Sequence, residues 1–464
     1  MILGVACLRK TVLVLVVCAL TSLTLLSCGG YKGSSSTGTT AGLKFRALIS
    51  QDVQGIIFAG LILIDAQKDR RAPAQPIGTG FLPGMMVESN DRKITLAVSS
   101  TFNSIEVLDN VKESIILNGL TLPGATESVV ISADNATAYA AVPNAPISGG
   151  TTTGGIAIAS LGTGATTTTT LPVAGAHYLA ESGDGSKLLA FSDNTDLNEP
   201  SNVQTVTIVS PFNIVPGQKN STCNPPPPNP PPANPPPPVC QYATGFDHPI
   251  AGFFSSDNTQ AWILNCGREC GGTQASVQVL DLHDPVNPVA GVATPLPGGA
   301  TVGFIKGQTM YVAGNPPTGS NTCTGGPTTA ATTCGRLTTV DLTALSATPV
   351  QPIAVIPDGY HTKIDISGDG QLFVGSRGCT NIVPVNAGDE QRGCLAILNT
   401  NNGNLIIPPD NGDVTGLQPI TNRTVFYVVE GGQVRIYDTT TDKIYTVASI
   451  DILGNVVDVK LIDF

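Results

Sequence analysis

The sequence predicts an all-β chain, a β-propeller built from four-stranded antiparallel blades. Three observations carry this. Short runs rich in β-branched and aromatic residues recur in pairs, about 40–70 residues apart. An apolar run ending in a Ser/Asp/Gly turn precedes most pairs. No long stretch shows the 3.6-residue apolar period of a helix.

The first member of each pair is Phe45–Ser50, Ile94–Ser99, Thr137–Val142, Lys187–Ser192, Gln260–Asn265, Thr309–Gly314, Gln371–Ser376 or Thr424–Val429. The second is Leu61–Asp65, Ile105–Asp109, Ile156–Ser160, Val206–Ser210, Val277–Asp281, Leu337–Asp341, Leu395–Asn399 or Val434–Asp438. The preceding turns are Ser89-Asn90-Asp91, Ser132-Ala133-Asp134, Ser182-Gly183-Asp184-Gly185, Ser256-Asp257-Asn258, Lys306-Gly307, Ser367-Gly368-Asp369-Gly370 and Thr421-Asn422. Gly and Asx residues supply the positive φ and local hydrogen bonds that tight hairpins need. The first pair has no run before it, and a spare run, Val456–Phe464, stands at the other end. Such a chain closes into a ring when its last strand becomes the innermost strand of blade one. Closure removes the exposed edges of an open array. In the spare run, Val457, Val459 and Leu461 alternate with Val456, Asp458, Lys460 and Ile462.

An S-x-D-G turn, a YVA-like strand and a VxVID-like strand, repeated, resemble the YVTN-repeat (YncE-like) propellers of exported bacterial proteins. Ser367-Gly368-Asp369-Gly370 with Phe373-Val374 and Leu395–Asn399 is the clearest unit. The resemblance covers 43–464 and implies a fold rather than an activity, because propellers host many unrelated functions. The pair count favours eight blades. Seven, the usual number in that family, is the alternative.

The chain has 464 residues, Lys+Arg 23 against Asp+Glu 34, and a net charge of −11. With no Lys/Arg cluster, this balance argues against a nucleic-acid partner, whose backbone demands cations. The N-terminus carries an address. Arg9 and Lys10 precede an uncharged apolar run, Thr11 to Ser27, and then Leu25-Leu26-Ser27-Cys28-Gly29. The run of 17 is slightly short for a bilayer span of ~20 residues. The pattern resembles a bacterial lipobox, with a small residue at the cut and Cys28 as the lipidated thiol. The expected organisation is a signal peptide (1–27), a flexible tether (28–42) and a propeller (43–464). Gly29 in place of Asp favours the outer membrane over the inner. The expected setting is the periplasmic face of that membrane, or the cell surface, with the chain a monomer held by its lipid.

Cys7 and Cys18 leave with the signal, and eight cysteines remain beyond Cys28. An oxidising compartment and an even number imply disulfides. Nearest-neighbour pairing gives Cys223–Cys240, Cys266–Cys270, Cys323–Cys334 and Cys379–Cys394. With strands lettered A to D within a blade, the last three pairs fall between B and C. Placing the first between D and the next A puts all four bridges on one face. Zinc on Cys266 and Cys270 with a second pair is the alternative. The run Asn224–Val239, NPPPPNPPPANPPPPV, is a polyproline spacer within an insertion at about 216–244.

Chemistry is sparse. There is no G-x-x-x-x-G-K-[ST], H-E-x-x-H or G-x-S-x-G, and no cofactor is expected. Asp365–Gly370 opens like a calcium loop but has Ser376 where the acidic twelfth ligand belongs, so it reads as a strand turn. One constellation stands out. Glu127, His177, Asp247, His248, Tyr360, His361 and Asp413 open the innermost strands, and should ring the channel mouth on the disulfide face. Imidazoles and carboxylates so placed would serve as ligands or general bases. The bland reading is polar residues capping strand starts near solvent. Two functions follow: a non-catalytic binding or scaffolding propeller docking a protein or glycan on the disulfide face, or a periplasmic lactonase-like hydrolase or redox enzyme at the channel mouth.

The lipobox generates the first prediction. Mass spectrometry of the mature N-terminus should find an acylated Cys28; an unmodified N-terminus starting elsewhere would reject lipidation.

Overall fold

A computed structural model of the chain describes residues 43, 45–52, 60–99, 101–146, 153–162, 168–192, 205–211, 240–284, 287–317, 334–345, 352–380, 393–408 and 412–463. The signal segment, the tether, the polyproline run and Cys28, Cys223 and Cys323 lie outside the described residues.

The strands assemble into eight antiparallel sheets. In blades two to eight, strand order follows the chain from an inner strand A to an outer strand D. These inner strands are Met86–Glu88, Ser128–Ile131, Ala176–Glu181, Pro249–Phe254, Val302–Lys306, Tyr360–Ile366 and Val414–Pro419. Blade one takes its inner strand, Asn455–Leu461, from the far end of the chain. It pairs with Arg46–Asp52, setting Ala47 opposite Leu461 and Ile49 opposite Val459. Inner strands of adjacent blades touch all the way round. The blades therefore number eight, and the C-terminal strand closes the ring.

Strands B and C are the paired runs of the sequence; Gln260–Asn265 and Leu395–Asn399 match to the residue. β-branched runs form these strands because both of their faces are covered. Each blade interface holds its own apolar cluster. Between blades eight and one, for example, Tyr427, Val429 and Ile436 pack against Ile49, Ile62 and Val459.

The Ser-x-Asp turns join A to B. Ser89 Oγ donates to Asp91 (2.8 Å), Ser132 to Asp134 (2.6 Å), Ser182 to Asp184 (2.7 Å) and Ser367 to Asp369 (2.5 Å). The serine oxygen in turn accepts the N–H that opens strand B, as with Thr137 on Ser132 (2.9 Å). In blade five this serine is Ser255, one residue before the expected one. The terminal Asp or Asn of strand C caps the C–D turn at the same end: Asp109, Asp281, Asn399 and Asp438 each accept an N–H two residues on.

Two expectations need correction. Cys240 does not lie in a D–A connection. Cys240–Thr244 is itself strand D of blade four, with Cys240 opposite Val209. The Pro-rich insertion therefore joins C to D and leaves from the tight-turn end, opposite the other bridges. Outer strands have one open edge and little apolar pattern, so CQYAT did not read as a strand. The alternation of the last strand is also broken. A bulge sets Ser50 opposite Asp458 but Gln51 opposite Val456. Val456 thus joins Val459 and Leu461 in the core, while Val457 is the extra residue.

Charged groups clamp the closure on both sides. Arg423 of blade eight grips Asp69 of blade one with two bonds, 2.6 and 2.7 Å, and also donates to the Ala66 carbonyl. Tyr427 Oη donates to the same carboxylate at 2.6 Å. Arg46 of blade one binds Asp463 (2.8 Å) and Glu113 of blade two (2.6 Å).

A chain ending at Asn455 would bare the cores on both sides of blade one, and should aggregate or unfold. Arg423→Ala should keep the fold but lose about 3 kcal/mol, because it strands Asp69. Denaturant melts and solubility check both; an unchanged melt of the truncated chain would reject C-terminal closure.

Candidate functional site

Strands A begin at the end that carries the B–C connections, where Cys266–Cys270 and Cys379–Cys394 close loops with Cα–Cα separations of 5.7 Å. Cys240 and Cys334 are also disulfide-bonded. The expected partners of both lie outside the described residues. All seven candidates stand at or next to strand A starts. The structure brings together one pair of them and commits most of the others to architecture.

Asp247 and His248 are that pair, with His248 Nδ1 3.0 Å from Asp247 Oδ1. The other Asp247 oxygen accepts from the Thr273 N–H and hydroxyl (2.8 and 2.5 Å) and the Gln274 N–H (2.8 Å). The carboxylate thereby clamps the loop that follows Cys266–Cys270. Burial pushes its pKa up, but the Thr273, Gln274 and His248 bonds outweigh it and hold the group below the usual range. His248 has φ +56°, an uncommon backbone for a non-glycine residue.

Asp413 is exposed and accepts the Gly378 N–H at 2.7 Å, beside Cys379. His361 is 1% exposed and its Nε2 lies 3.0 Å from the Pro357 carbonyl oxygen. It packs so closely on Gly335 that a Cβ there would come within 2.6 Å of the ring. His361 is a core residue, neither a group at an open channel mouth nor a cap near solvent. Burial lowers its pKa to about 4, against the opposing pull of the Pro357 bond. His177 is the extra residue of a bulge between Ala176 and Tyr178, its ring centroid 4.5 Å from that of Tyr178. Its Nδ1 is buried without a hydrogen-bond partner among the described residues. Glu127 and Tyr360 are exposed at the rim.

Sequence reading missed two further carboxylates at this end. Glu269, inside the Cys266–Cys270 loop, accepts from the Asn315 N–H and side-chain amide of blade six, both at 2.9 Å. Burial raises its pKa to about 7 despite those bonds. Asn315 donates onward to the Gly359 carbonyl (2.6 Å), and Asp358 accepts the Thr380 N–H (2.6 Å). Carboxylates thus tie loops of blades five to eight into one polar seam. Among the described residues, no group of three or more His, Cys, Asp or Glu side chains is arranged to hold a metal ion.

A second set was missed inside the ring. Ile364 and Ile366 pack toward blade six, which leaves Lys363 and Asp365 on the opposite side of their strand. Val459 and Leu461 pack toward blade eight, which leaves Asp458 and Lys460, with Lys460 Nζ 3.8 Å from Asp458. Glu88 of blade two completes the group, and burial raises its pKa to about 7 against the pull of Lys460 and Arg92. The available signal was charge at alternate positions of inner strands: K-x-D in blade seven and D-x-K in blade one.

No protein-family model matches the chain, and no curated protein does. Solved structures do share the fold. Hydrazine synthase from Kuenenia stuttgartiensis aligns over 78% of this chain and 96% of its own, at 11% identity and TM-score 0.53. Apo AztD from Citrobacter koseri covers 90% of this chain and 98% of its own, at 11% identity and TM-score 0.53. The dihydro-heme d1 dehydrogenase NirN covers 90% and 75%, at 10% identity and TM-score 0.55. At such identity the likeness is one of fold alone.

His361 yields a prediction with a definite sign. Its folded pKa of about 4 lies below the ordinary 6.5, so the unfolded chain takes up the proton first. Its contribution should be complete above pH 6.5 and lost as pH falls toward 4. Thermal melts from pH 7 to 4 should fall less steeply for His361→Gln than for the native chain, whatever their offset. Parallel curves would show that His361 is not buried neutral.

Proposed function

We propose that this protein is a YVTN-repeat-like lipoprotein of the bacterial envelope, anchored through Cys28, that binds a protein or glycan and has no catalytic role. One observation carries the reading. At the disulfide-bearing end, side chains capable of chemistry hold loops instead: Asp247 on Thr273 and Gln274, Glu269 on Asn315, Asp413 on Gly378. Cross-linked loops held at this density favour a preformed docking surface, because little ordering entropy remains to be lost on binding. The −11 charge argues against nucleic acid as the natural partner.

A second reading, a periplasmic hydrolase or redox enzyme, rests on the His248–Asp247 pair. A carboxylate on Nδ1 orients an imidazole as in general-base catalysis. The enzymes among the fold neighbours add nothing specific, since propellers carry unrelated activities.

The test uses the secreted Cys28→Ser protein, which has no lipid to confound retention. It should be retained on washed bacterial envelope fragments, and Asp247→Ala/Asp413→Ala should weaken retention at least about tenfold with the fold intact. No retention, or equal retention of both proteins, would reject docking through this end. Loss of a hydrolytic activity in His248→Ala alone would favour the enzyme.

A further inference from the structure

We propose that the interior of the ring holds a small-oxyanion site anchored by Lys363, taking the carboxylate or phosphate group of a small solute. The inference is separate from the docking function, which concerns the loops at the rim.

The argument starts from an ammonium without a partner. Lys363 is partly buried on the inner strand of blade seven, yet forms no hydrogen bond or ion pair among the described residues. Its Nζ is not among the enclosed unpartnered atoms, so it keeps access to open space. Charged side chains in protein interiors are ordinarily paired, because an isolated charge away from bulk water is costly. The carboxylates facing Lys363 are otherwise engaged. Asp365, on its own strand, accepts the Ile366 N–H at 2.7 Å. Asp458 accepts the Met86 and Val459 N–H groups, each at 2.9 Å, and has Lys460 at 3.8 Å.

Burial acts most strongly on the Lys363 ammonium and holds its pKa below the usual lysine range; Asp458 of blade one opposes this, while Lys460 of blade one and Arg377, near its own strand start, add to it. Blade eight stands between blades seven and one, so the route between these groups runs through the ring's interior. Asp365 of blade seven and Glu88 of blade two both feel Lys460 across the same space. The interior therefore presents Lys363, Lys460 and Arg377 against Asp458, Asp365 and Glu88. Glu88, with its pKa near 7, is only partly ionised at neutral pH. An anion beside Lys363 would accept the hydrogen bonds of an ammonium that no described side chain accepts.

The experiment is calorimetric titration of the mature chain at pH 7 and low salt, with succinate and with inorganic phosphate in separate arms. Lys363→Met, Lys363→Arg and the exposed control Lys443→Met are titrated alongside. At least one anion should bind saturably with Kd below about 1 mM. Lys363→Met should weaken it at least about tenfold, while Lys363→Arg and Lys443→Met stay within about threefold. The arm that binds identifies the anion class. The melting temperature of free Lys363→Met should equal or exceed that of the native chain, since no protein partner is lost. Absence of binding in both arms, binding unchanged in Lys363→Met, or a clearly lowered melt of that variant would overturn the site.

Discussion

The whole structure depends on one pairing, that of Asn455–Leu461 with Arg46–Asp52. A propeller blade is apolar on both faces and stable only between two neighbours. Without the last strand, blade one lacks its inner edge, blade eight loses the cover of Val456, Val459 and Leu461, and Met86 of blade two loses the Asp458 oxygen that accepts its N–H. The entropic cost of closing so long a loop grows only with the logarithm of its length. Against it stand a full strand ladder and the burial of two blade faces, so closure wins. The ion pairs Arg423–Asp69 and Arg46–Asp463 sit on either side of this pairing and resist its opening.

Polar side chains here serve the architecture before they serve any chemistry. The Ser-x-Asp turns use serine twice, as donor to the carboxylate and as acceptor of a strand N–H. Asp247, Asp413 and Glu269 replace water around loop backbone groups that would otherwise lack partners. His361 is neutral because a charged imidazole under Gly335 would be desolvated. Lys363 and Glu88 differ in kind. They are ionisable groups in the interior that no turn, loop or strand end requires.

Residue type and position therefore put these candidates at the starts of inner strands, but did not give the role of each group there. His177, Asp247, His248, His361 and Asp413 open inner strands as read, because strand starts are set by the repeat. Whether such a side chain faces solvent, a loop or the core depends on bulges and on the neighbouring blade. The bulge at His177 and the packing of His361 on Gly335 have no signature in the chain.

The sequence by itself determined the repeat. Alternating β-branched runs, Ser-x-Asp turns and terminal Asx caps are local features, governed by interactions a few residues apart, and they specified strands B and C, the eight blades and the closing strand. Only the tertiary structure decided what depends on a partner distant in the chain. It decided that CQYAT is an outer strand, which sends the Pro-rich insertion to the opposite end. It decided that Val456 rather than Val457 enters the core, and that lysines and carboxylates of blades seven, one and two meet across the interior. Outer strands have a solvent edge in place of an apolar pattern, and groups that meet through space share no spacing along the chain.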